Sequence, residues 1–478
     1  MNEITISEMK RVLELQKRKH IEEGAPSFQL RKDRLDRAIS MVNKYQKDVI
    51  SALQDDFGNR DPVMSMATEI MSSVGPLEHA KKNLSKWMKP EKRRVGAPMP
   101  GAGTILSLLG AKAKIEYQPK GTVGCISPWN FPVNLVMAPL GGILAAGNRV
   151  MIKPSEISSS TSNVIKIMFE DFFDESEIAV FVGDPEVGAA FSALPFDHLL
   201  FTGGTAIAKH VMRSASDNLV PLTLELGGKS PVIVDKDAKI SDVAQRVMQG
   251  KTMNAGQICL APDYALVPKD KVNEFVEESI NSVTEMYPEM KDNDDYTSIV
   301  NQSHFDRIQG YLEDAKSKGA ELVEINPNNE DFSQQPHHKI PPTLVLNPSE
   351  DMKIMQEEIF GPVLPVKQYE ELSESVEYVN SKERPLGLYY FGKENEDYVL
   401  SNTTSGGVTV NDVISHITQE NLPFGGVGPS GMGSYHGHDG FKEFSHAKSI
   451  YNQVSLNLNK LAGLVPPYKK EKDKSPTA

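Results

Sequence analysis

The chain has 478 residues, enough for two or three domains that share a large buried core. It carries 51 Lys and Arg against 64 Asp and Glu, and this net charge of −13 disfavours nucleic acid and anionic membranes as partners. The composition, 39% hydrophobic and 24% charged, is that of a globular protein, and two cysteines are too few for a disulfide framework. The polar first ten residues predict no signal peptide, so we expect a cytoplasmic protein without a membrane anchor.

The first 90 or so residues have the pattern of helices. Between Leu30 and Phe57 basic and acidic side chains alternate around an apolar stripe, which favours a helix with one solvated, charged face. From Lys89 to Gly110, glycines and prolines break this pattern, and we expect the segment to leave the main body of the protein.

Short apolar runs alternate with helical segments between Tyr117 and Leu226. This order of strand and helix predicts a parallel sheet with helices on its faces, which binds ligands beyond the carboxyl ends of its strands. A second α/β region extends from about Pro231 to Asn411, and a glycine-rich segment follows Phe424. The predicted strands are Val123–Ser127, Arg149–Lys153, Glu177–Val182 and His198–Thr202 in the first region, and Val232–Val234, Tyr264–Val267, Thr343–Leu346, Val363–Val366 and Gly407–Val410 in the second.

Three residues are candidates for chemistry. Cys259 follows an amphipathic helix that Gly256 should end, so it is either a reactive loop thiol or a small buried hydrophobe. Glu225 ends an apolar strand, where burial would raise the pKa of its carboxyl and suit it to act as a base; alternatively it faces solvent. Asn130 lies between two prolines and could be either a rigid amide donor or a simple helix cap.

Two strand ends have features of a nucleotide site. Gly203 and Gly204 lead into a helix whose N-terminus could receive a phosphate, although the full dinucleotide fingerprint is missing. Lys153 and Glu156 could meet ribose hydroxyls, or they could simply cap a helix. The histidines near residue 440 lack accompanying ligands, so we expect no metal.

Seven ordered motifs together resemble the aldehyde dehydrogenase superfamily over most of the chain. The Ala261-Pro-Asp-Tyr sequence after the cysteine is similar to the class 3 branch, and Asp56-Phe-Gly-Asn-Arg is similar to its coniferyl aldehyde dehydrogenase group. The motifs are Pro128-Trp-Asn-Phe-Pro, Lys153-Pro-Ser-Glu, Phe201-Thr-Gly-Gly, Glu225-Leu-Gly-Gly-Lys-Ser-Pro, Gly256-Gln-Ile-Cys, Glu358-Ile-Phe-Gly-Pro and Pro423-Phe-Gly-Gly.

The resemblance implies an enzyme that oxidises an aromatic or a medium- to long-chain aliphatic aldehyde to the acid with NAD, NADP being tolerated. Cys259 would be the nucleophile, Glu225 the base that activates water, and Asn130 the donor to the oxyanion. The implied cofactor contacts are Trp129, Lys153, Glu156, Gly203, Gly204, Glu358 and Phe360. A relative that passes the acyl group to coenzyme A, or a non-catalytic protein on the same fold, is the alternative.

The resemblance also implies an α/β fold with a Rossmann-type parallel sheet, a second α/β catalytic domain and a small bridging element that joins a homodimer. We expect the cofactor domain over 1–88 and 117–226, the catalytic domain over 227–411, the bridging element over 89–116 and 412–455, and a tail over 456–478. The pyrophosphate loop departs from the family pattern at Gly204 and Ala208, so any contact at Gly204 must come from its backbone.

Overall fold

The computed structural model describes residues 2–97, 101–455, 457, 460 and 465–467. It separates into two compact units: Met1–Trp87 with Pro119–Ser445, and Met88–Gln118 with His446–Ala478. Residues 412–445, which the sequence analysis places in the bridging element, belong to the first of these units. The division into cofactor-binding, catalytic and bridging domains assigns a role to each part of the chain and stays a prediction. Most of the predicted tail, residues 456–478, lies outside the described residues.

The described helices are distributed along the whole chain. They are α1 (Asn2–Glu23), α2 (Phe28–Phe57), α3 (Pro62–Ser65), α4 (Ser72–Trp87), α5 (Ala102–Leu108), α6 (Asn134–Ala146), α7 (Ser159–Phe172), α8 (Pro185–Ser192), α9 (Thr205–Ser216), α10 (Ile240–Thr252), α11 (Val272–Met286), α12 (Gln302–Ser317), α13 (Lys353–Gln356), α14 (Leu372–Asn380), α15 (Glu396–Asn402) and α16 (Gly437–Glu443). No helix in the described ranges is long and apolar enough to cross a bilayer.

The described strands form three sheets. They are β1 (Glu91–Arg93), β2 (Lys112–Pro119), β3 (Thr122–Ile126), β4 (Arg149–Lys153), β5 (Ile178–Val180), β6 (His198–Thr202), β7 (Leu222–Glu225), β8 (Pro231–Val234), β9 (Tyr264–Pro268), β10 (Glu321–Glu324), β11 (Thr343–Leu346), β12 (Val363–Tyr369), β13 (Gly387–Phe391), β14 (Gly407–Val410), β15 (Gly431–Met432) and β16 (Ser445–Asn452).

The first large sheet has the order β15-β7-β6-β3-β4-β5. Strands β7, β6, β3, β4 and β5 are parallel, and only β15 pairs antiparallel, along β7. The chain moves outward from β3 to β5 and then returns to the other side of β3 with β6. The order of strands therefore reverses between β3 and β6, which is where sheets of this type open a crevice for a ligand.

The second large sheet has the order β10-β11-β12-β9-β8-β13-β14. It is parallel from β11 to β14, and β10 joins its edge antiparallel. The sequence analysis missed β13, which lies between β8 and β14 with all five residues buried. Strands β4 and β6 are also buried along their whole length and were predicted, so burial alone does not account for the missed strand.

The strands that were predicted in the two large sheets agree closely with the structure, whereas β1, β2, β10, β15 and β16 were not predicted. The predicted strands at Arg149–Lys153 and His198–Thr202 have the observed bounds, and the α/β fold class is confirmed. The solvated face predicted for α2 is wrong at two positions. Arg31 donates to the carbonyls of Ala145 and Ala146 at the end of α6, and Arg34 forms a 2.9 Å ion pair with Glu177.

Asp56, near the end of α2, supplies the N-terminal cap that α7 lacks locally. Its carboxylate accepts hydrogen bonds from the backbone N–H groups of Ser160 and Thr161, both at 2.8 Å. The cap residue of α7 itself, Ser158, contributes no such bond from its side chain.

The Asp56→Ala variant should therefore lose about 1–2 kcal/mol of unfolding free energy, measured by urea denaturation. Asp55→Ala, one residue away and exposed, should stay within about 0.5 kcal/mol of the parent, and equal losses in the two variants would contradict the role of the cap.

Candidate active site

The turn that presents Cys259 has an uncommon backbone. Helix α10 ends at Thr252, earlier than the predicted stop at Gly256. Asn254, Ala255 and Gly256 then adopt positive φ angles of 49°, 50° and 72° in succession. Left-handed conformations cost energy in residues with side chains and persist where the surrounding structure enforces them. These conformations form a tight turn between the end of α10 and Cys259.

A second segment, Glu358–Pro362, packs directly on this turn. A Cβ atom at Gly256 would lie 2.3 Å from the carbonyl oxygen of Gly361, so only glycine allows the two backbones to approach. The segment is held by Arg307, which donates to the Ile359 carbonyl at 2.8 Å, and by Asp263, which accepts from the Ile359 N–H at 3.0 Å. The position of Cys259 therefore depends on a contact between parts of the chain about 100 residues apart.

Asn130 lies against the same turn. Its side-chain amide donates one hydrogen bond, at 3.0 Å, to the carbonyl of Gln257, two residues before the cysteine. This bond orients the amide and leaves a second N–H available, as an oxyanion donor requires. Asn130 is buried, and its neighbour Trp129 packs edge-on against Phe360 with 5.4 Å between the ring centroids.

Glu225 is the last residue of β7 and is buried. Neither of its carboxylate oxygens has a hydrogen-bond partner among the described residues. The glycine-rich segment covers it: Gly431 pairs with Glu225 across β15, and a Cβ at Gly425 would stand 3.1 Å from a carboxylate oxygen. Burial, with a smaller contribution from the charge of Glu443, holds the pKa of Glu225 well above the ordinary value.

The thiol of Cys259 is partly buried. Burial raises its pKa to about 12, and the nearby carboxylates of Glu358 and Glu225 act in the same direction. The backbone N–H groups of Cys259 and Leu260 oppose this by hydrogen bonding to the sulfur. The thiol is therefore protonated at neutral pH in the resting chain, and catalysis requires a group that accepts its proton. The other cysteine, Cys125, lies buried inside β3.

Several of the implied cofactor contacts follow the carboxyl ends of strands in the first large sheet. Lys153 ends β4 and forms a 2.7 Å ion pair with Glu156. Gly204 begins α9 without a side-chain cap, and no described atom lies within 4 Å of where its Cβ would stand. An uncapped helix N-terminus beside open space suits a phosphate group, so these residues fit a dinucleotide. At Gly203 a Cβ would meet the Phe201 ring at 2.7 Å.

Glu358 and Phe360 belong to the segment that packs on the Cys259 turn. Glu358 accepts a hydrogen bond from the Gly228 N–H, and burial raises the pKa of its carboxyl to about 7. Phe360 adopts a φ of 47°, which turns its ring toward Trp129. Reasoning from the residues alone did not find Glu358. Its motif became visible only through the resemblance, because the acidic group is brought to the site by tertiary packing.

Other residues at the site were missed by the sequence analysis. The Tyr389 hydroxyl donates at 2.5 Å to the carbonyl of Leu260, next to the cysteine, and Tyr389 belongs to the unpredicted strand β13. Arg60 donates at 2.9 Å to the backbone carbonyl of Asn130. In the sequence, the motif that ends in Arg60 indicated only the subgroup, and no local pattern marked this arginine as buried.

The crevice at the sheet reversal, with a thiol, an amide donor and a carboxylate beside it, is typical of an oxidoreductase that acts through a cysteine. A sequence profile of the aldehyde dehydrogenase family matches residues 5–450. A Caulobacter vibrioides protein named a probable coniferyl aldehyde dehydrogenase is 57% identical over 462 residues, 96% of this chain and 94% of the relative. The coniferyl aldehyde dehydrogenase of a Pseudomonas species is 50% identical over 456 residues, 95% of this chain and 92% of that protein.

A solved structure shows the same fold. The substrate-bound AldH of Staphylococcus aureus superimposes with a TM-score of 0.86 at 36% identity, covering 94% of each chain. The chain belongs to the aldehyde dehydrogenase family and is an oxidoreductase that converts aldehydes to carboxylic acids. The predicted family, reaction class and resemblance to the coniferyl aldehyde dehydrogenases are confirmed.

The close contact between the backbones of Gly256 and Gly361 can be tested by substitution. Gly256→Ala adds a Cβ against the Gly361 carbonyl at a backbone φ of 72°, so the turn or the segment above it must shift. Because a displacement of about 1 Å can cost about 100-fold in rate, we expect a loss of this order in kcat/KM together with a lower thermal unfolding midpoint.

Gly310→Ala is the matched control for that substitution. Gly310 lies inside α12, and no described atom stands within 4 Å of the added methyl group. Alanine in a helix interior should stabilise by about 0.5–1 kcal/mol and leave kcat/KM unchanged. Equal kinetics in the Gly256→Ala and Gly310→Ala enzymes would show that the backbone contact is dispensable.

The raised pKa of Cys259 predicts slow alkylation near neutral pH. Because the thiol is protonated below its pKa, the rate of modification by iodoacetamide in the absence of cofactor should keep rising from pH 7 to pH 10 without reaching a plateau. Peptide mapping separates Cys259 from Cys125. A plateau at pH 7–8 would mean that the resting enzyme already holds a thiolate.

Proposed function

We propose that this enzyme oxidises its aldehyde with NAD through a covalent intermediate on Cys259, with Glu225 as the base and Asn130 as the oxyanion donor. The observation that carries the proposal is that two polar side chains meet the turn that presents Cys259. The Asn130 amide donates a hydrogen bond to the Gln257 carbonyl, and the carboxyl of Glu225 is close enough to the thiol to influence its pKa. A nucleophile, a donor and a base are what thioester formation and hydrolysis need.

The first half of the reaction forms the bond to sulfur. Cys259 gives its thiol proton to the Glu225 carboxylate, which releases it to solvent before the second half of the reaction. The thiolate then attacks the aldehyde carbon, and the carbonyl oxygen becomes an oxyanion. The free N–H of the Asn130 amide and the backbone N–H of Cys259 stabilise this charge. NAD, when bound, would supply the acceptor for the hydride that leaves the same carbon. Loss of one oxyanion donor typically raises such a barrier by about 2.7–4 kcal/mol.

The second half hydrolyses the thioester. Glu225 removes a proton from water, the resulting hydroxide attacks the acyl carbon, and the C–S bond breaks to release the acid and the Cys259 thiolate. A carboxyl whose pKa is raised by burial is a stronger base than an ordinary one, and Glu225 makes no hydrogen bond to another described residue that would occupy it. This base favours water over coenzyme A as the acyl acceptor.

The cofactor preference follows from the end of β4. Glu156 would accept a hydrogen bond from a ribose 2′-hydroxyl and would repel a 2′-phosphate, which favours NAD over NADP. Lys153, which forms an ion pair with Glu156, would share this contact. The N-terminus of α9 at Gly204 would receive the pyrophosphate, Glu358 the nicotinamide ribose, and Phe360 with Trp129 the face of the nicotinamide.

We assign the substrate class from the relatives. Both curated relatives described above are named for coniferyl aldehyde, at 57% and 50% identity over more than 90% of each chain. An aromatic aldehyde of this type is therefore the proposed substrate, with medium- and long-chain aliphatic aldehydes as the second class to assay.

We also propose a cytoplasmic homodimer. Two free cysteines, one of them the nucleophile, suit a reducing compartment. The three-stranded sheet β1-β2-β16 presents a mostly exposed strand, β16, which is the kind of edge that pairs with another chain. In this proposal the unit formed by residues 88–118 and 446–478 is the bridge between subunits, the first large sheet binds NAD, and the second carries the nucleophile.

The reaction is tested with coniferaldehyde, benzaldehyde and hexanal, each with NAD or NADP, by following the absorbance of the reduced cofactor. We expect the highest kcat/KM for coniferaldehyde with NAD, and no turnover for Cys259→Ala. If Cys259→Ala keeps the full rate, the covalent mechanism is wrong. Acyl-coenzyme A as the main product after addition of coenzyme A would instead favour the acylating alternative.

The role of Glu225 predicts a pH dependence. The base must be deprotonated, and its raised pKa moves this step to higher pH, so kcat should fall as the pH drops through a range above that of an ordinary carboxyl. Glu225→Gln should lower kcat at pH 8 by about 10²–10⁴-fold and remove this acid limb. An unchanged limb in Glu225→Gln would assign it to another group, such as Glu358.

A further inference from the structure

Arg60 is a buried charge that no step of the proposed mechanism uses. It follows α2 at the end of the Asp56-Phe-Gly-Asn-Arg motif, and its side chain is 0% exposed. An unpaired charge in such a place costs several kcal/mol, so the groups that surround the guanidinium indicate its role.

The contacts of Arg60 converge on the segment that carries the oxyanion donor. Its Nη1 donates at 2.9 Å to the backbone carbonyl of Asn130, and its guanidinium lies 5.0 Å from the ring centroid of Phe131. It lies 4.7 Å from the ring centroid of Phe57. The charge thus contacts two aromatic rings, with one N–H fixed on the peptide of Asn130.

Glu69 completes the arrangement. Its side chain is also 0% exposed, and its Oε1 lies 3.0 Å from Nη2 of Arg60. Its Oε2 accepts from the backbone N–H groups of Val133 and Asn134, at 3.0 and 2.9 Å. Those donors belong to the first turn of α6, which has no side-chain cap of its own. Glu69 lies in the π-helical turn Met66–Met71, a conformation often found at functional sites.

The pair therefore holds the Asn130–Asn134 segment at both ends. Arg60 fixes the peptide of Asn130, and Glu69 fixes the start of α6 four residues later. A further bond, from the Asn254 side chain to the Asn130 carbonyl at 3.3 Å, ties the same atom to the cysteine turn. The direction of the Asn130 amide depends on its backbone, and that backbone is set by these contacts.

We propose that Arg60 and Glu69 are positioning residues for the oxyanion donor: the buried ion pair holds the Asn130 peptide so that its side-chain amide meets the oxygen of the bound aldehyde. This inference rests on the proposed role of Asn130. It assigns a catalytic consequence to two side chains that touch neither the substrate nor the cofactor.

A double-mutant cycle separates this role from a structural one. Asn130→Ala alone should lower kcat/KM about 10²–10³-fold, and Arg60→Met alone about 10–100-fold. Because Arg60 acts through Asn130, adding Arg60→Met to Asn130→Ala should cost less than about 3-fold more. The KM for NAD and the rate of Cys259 alkylation should stay near their parental values in Arg60→Met, and Arg60→Lys, which keeps the charge, should recover part of kcat.

Arg34→Met is the matched control. It also removes a buried guanidinium that is paired with a glutamate, at 2.9 Å from Glu177, but its contacts do not include the Asn130 segment. It should lower the thermal unfolding midpoint and leave kcat/KM unchanged. If Arg60→Met does not fold, Glu69→Gln supplies the same cycle, with the same sub-additive result expected.

Two outcomes have distinct meanings. A full, additive loss from Arg60→Met or Glu69→Gln in the Asn130→Ala background would overturn the positioning role while leaving the oxyanion assignment intact. Unchanged kcat/KM in Asn130→Ala itself would instead refute the proposed function of Asn130, and the inference would fall with it.

Discussion

The close contact between the Cys259 turn and the Glu358–Pro362 segment is the constraint on which the site depends. At Gly256 the backbone is left-handed, and the Gly361 carbonyl occupies the space of a side chain. Because the two segments touch, Cys259, Glu358 and Phe360 form one unit. The left-handed residues before the cysteine are the energetic cost of this geometry, and the surrounding hydrogen bonds maintain it.

The second feature of the site is that its titratable side chains are buried, which changes their pKa values. Glu225 has no partner among the described residues, so its carboxyl is a stronger base than a solvated one, and the same burial keeps the Cys259 thiol protonated. Arg60 and Glu69 pair with each other and with backbone groups, although Arg60 Nε and Glu69 Oε1 have no hydrogen-bond partner among the described residues. The carboxyl without any hydrogen-bond partner is thus the proposed base, and the paired side chains are the proposed positioning residues.

The alternation of apolar runs and helical segments was sufficient to predict most of the first sheet, including the bounds of β4 and β6. It failed for β13, although β4 and β6 are buried to the same extent, and for Arg31 and Arg34, which look like part of a solvated face but bind the end of α6 and Glu177. For the two arginines, the local pattern shows only which face of an isolated helix would be charged. Whether a neighbouring helix or strand packs against that face is decided by the tertiary structure.

The sequence by itself determined the family, the fold class and the candidates Cys259, Glu225 and Asn130, because motifs at strand ends keep their residue types and spacing in a linear chain. Only the tertiary structure decided how these residues act on one another. The orientation of the Asn130 amide, the absence of partners for Glu225 among the described residues, and the pairing of Arg60 with Glu69 arise from contacts between segments far apart in the chain. Burial and hydrogen bonding set pKa values and directions, and neither is a property of a residue type or of its neighbours in sequence.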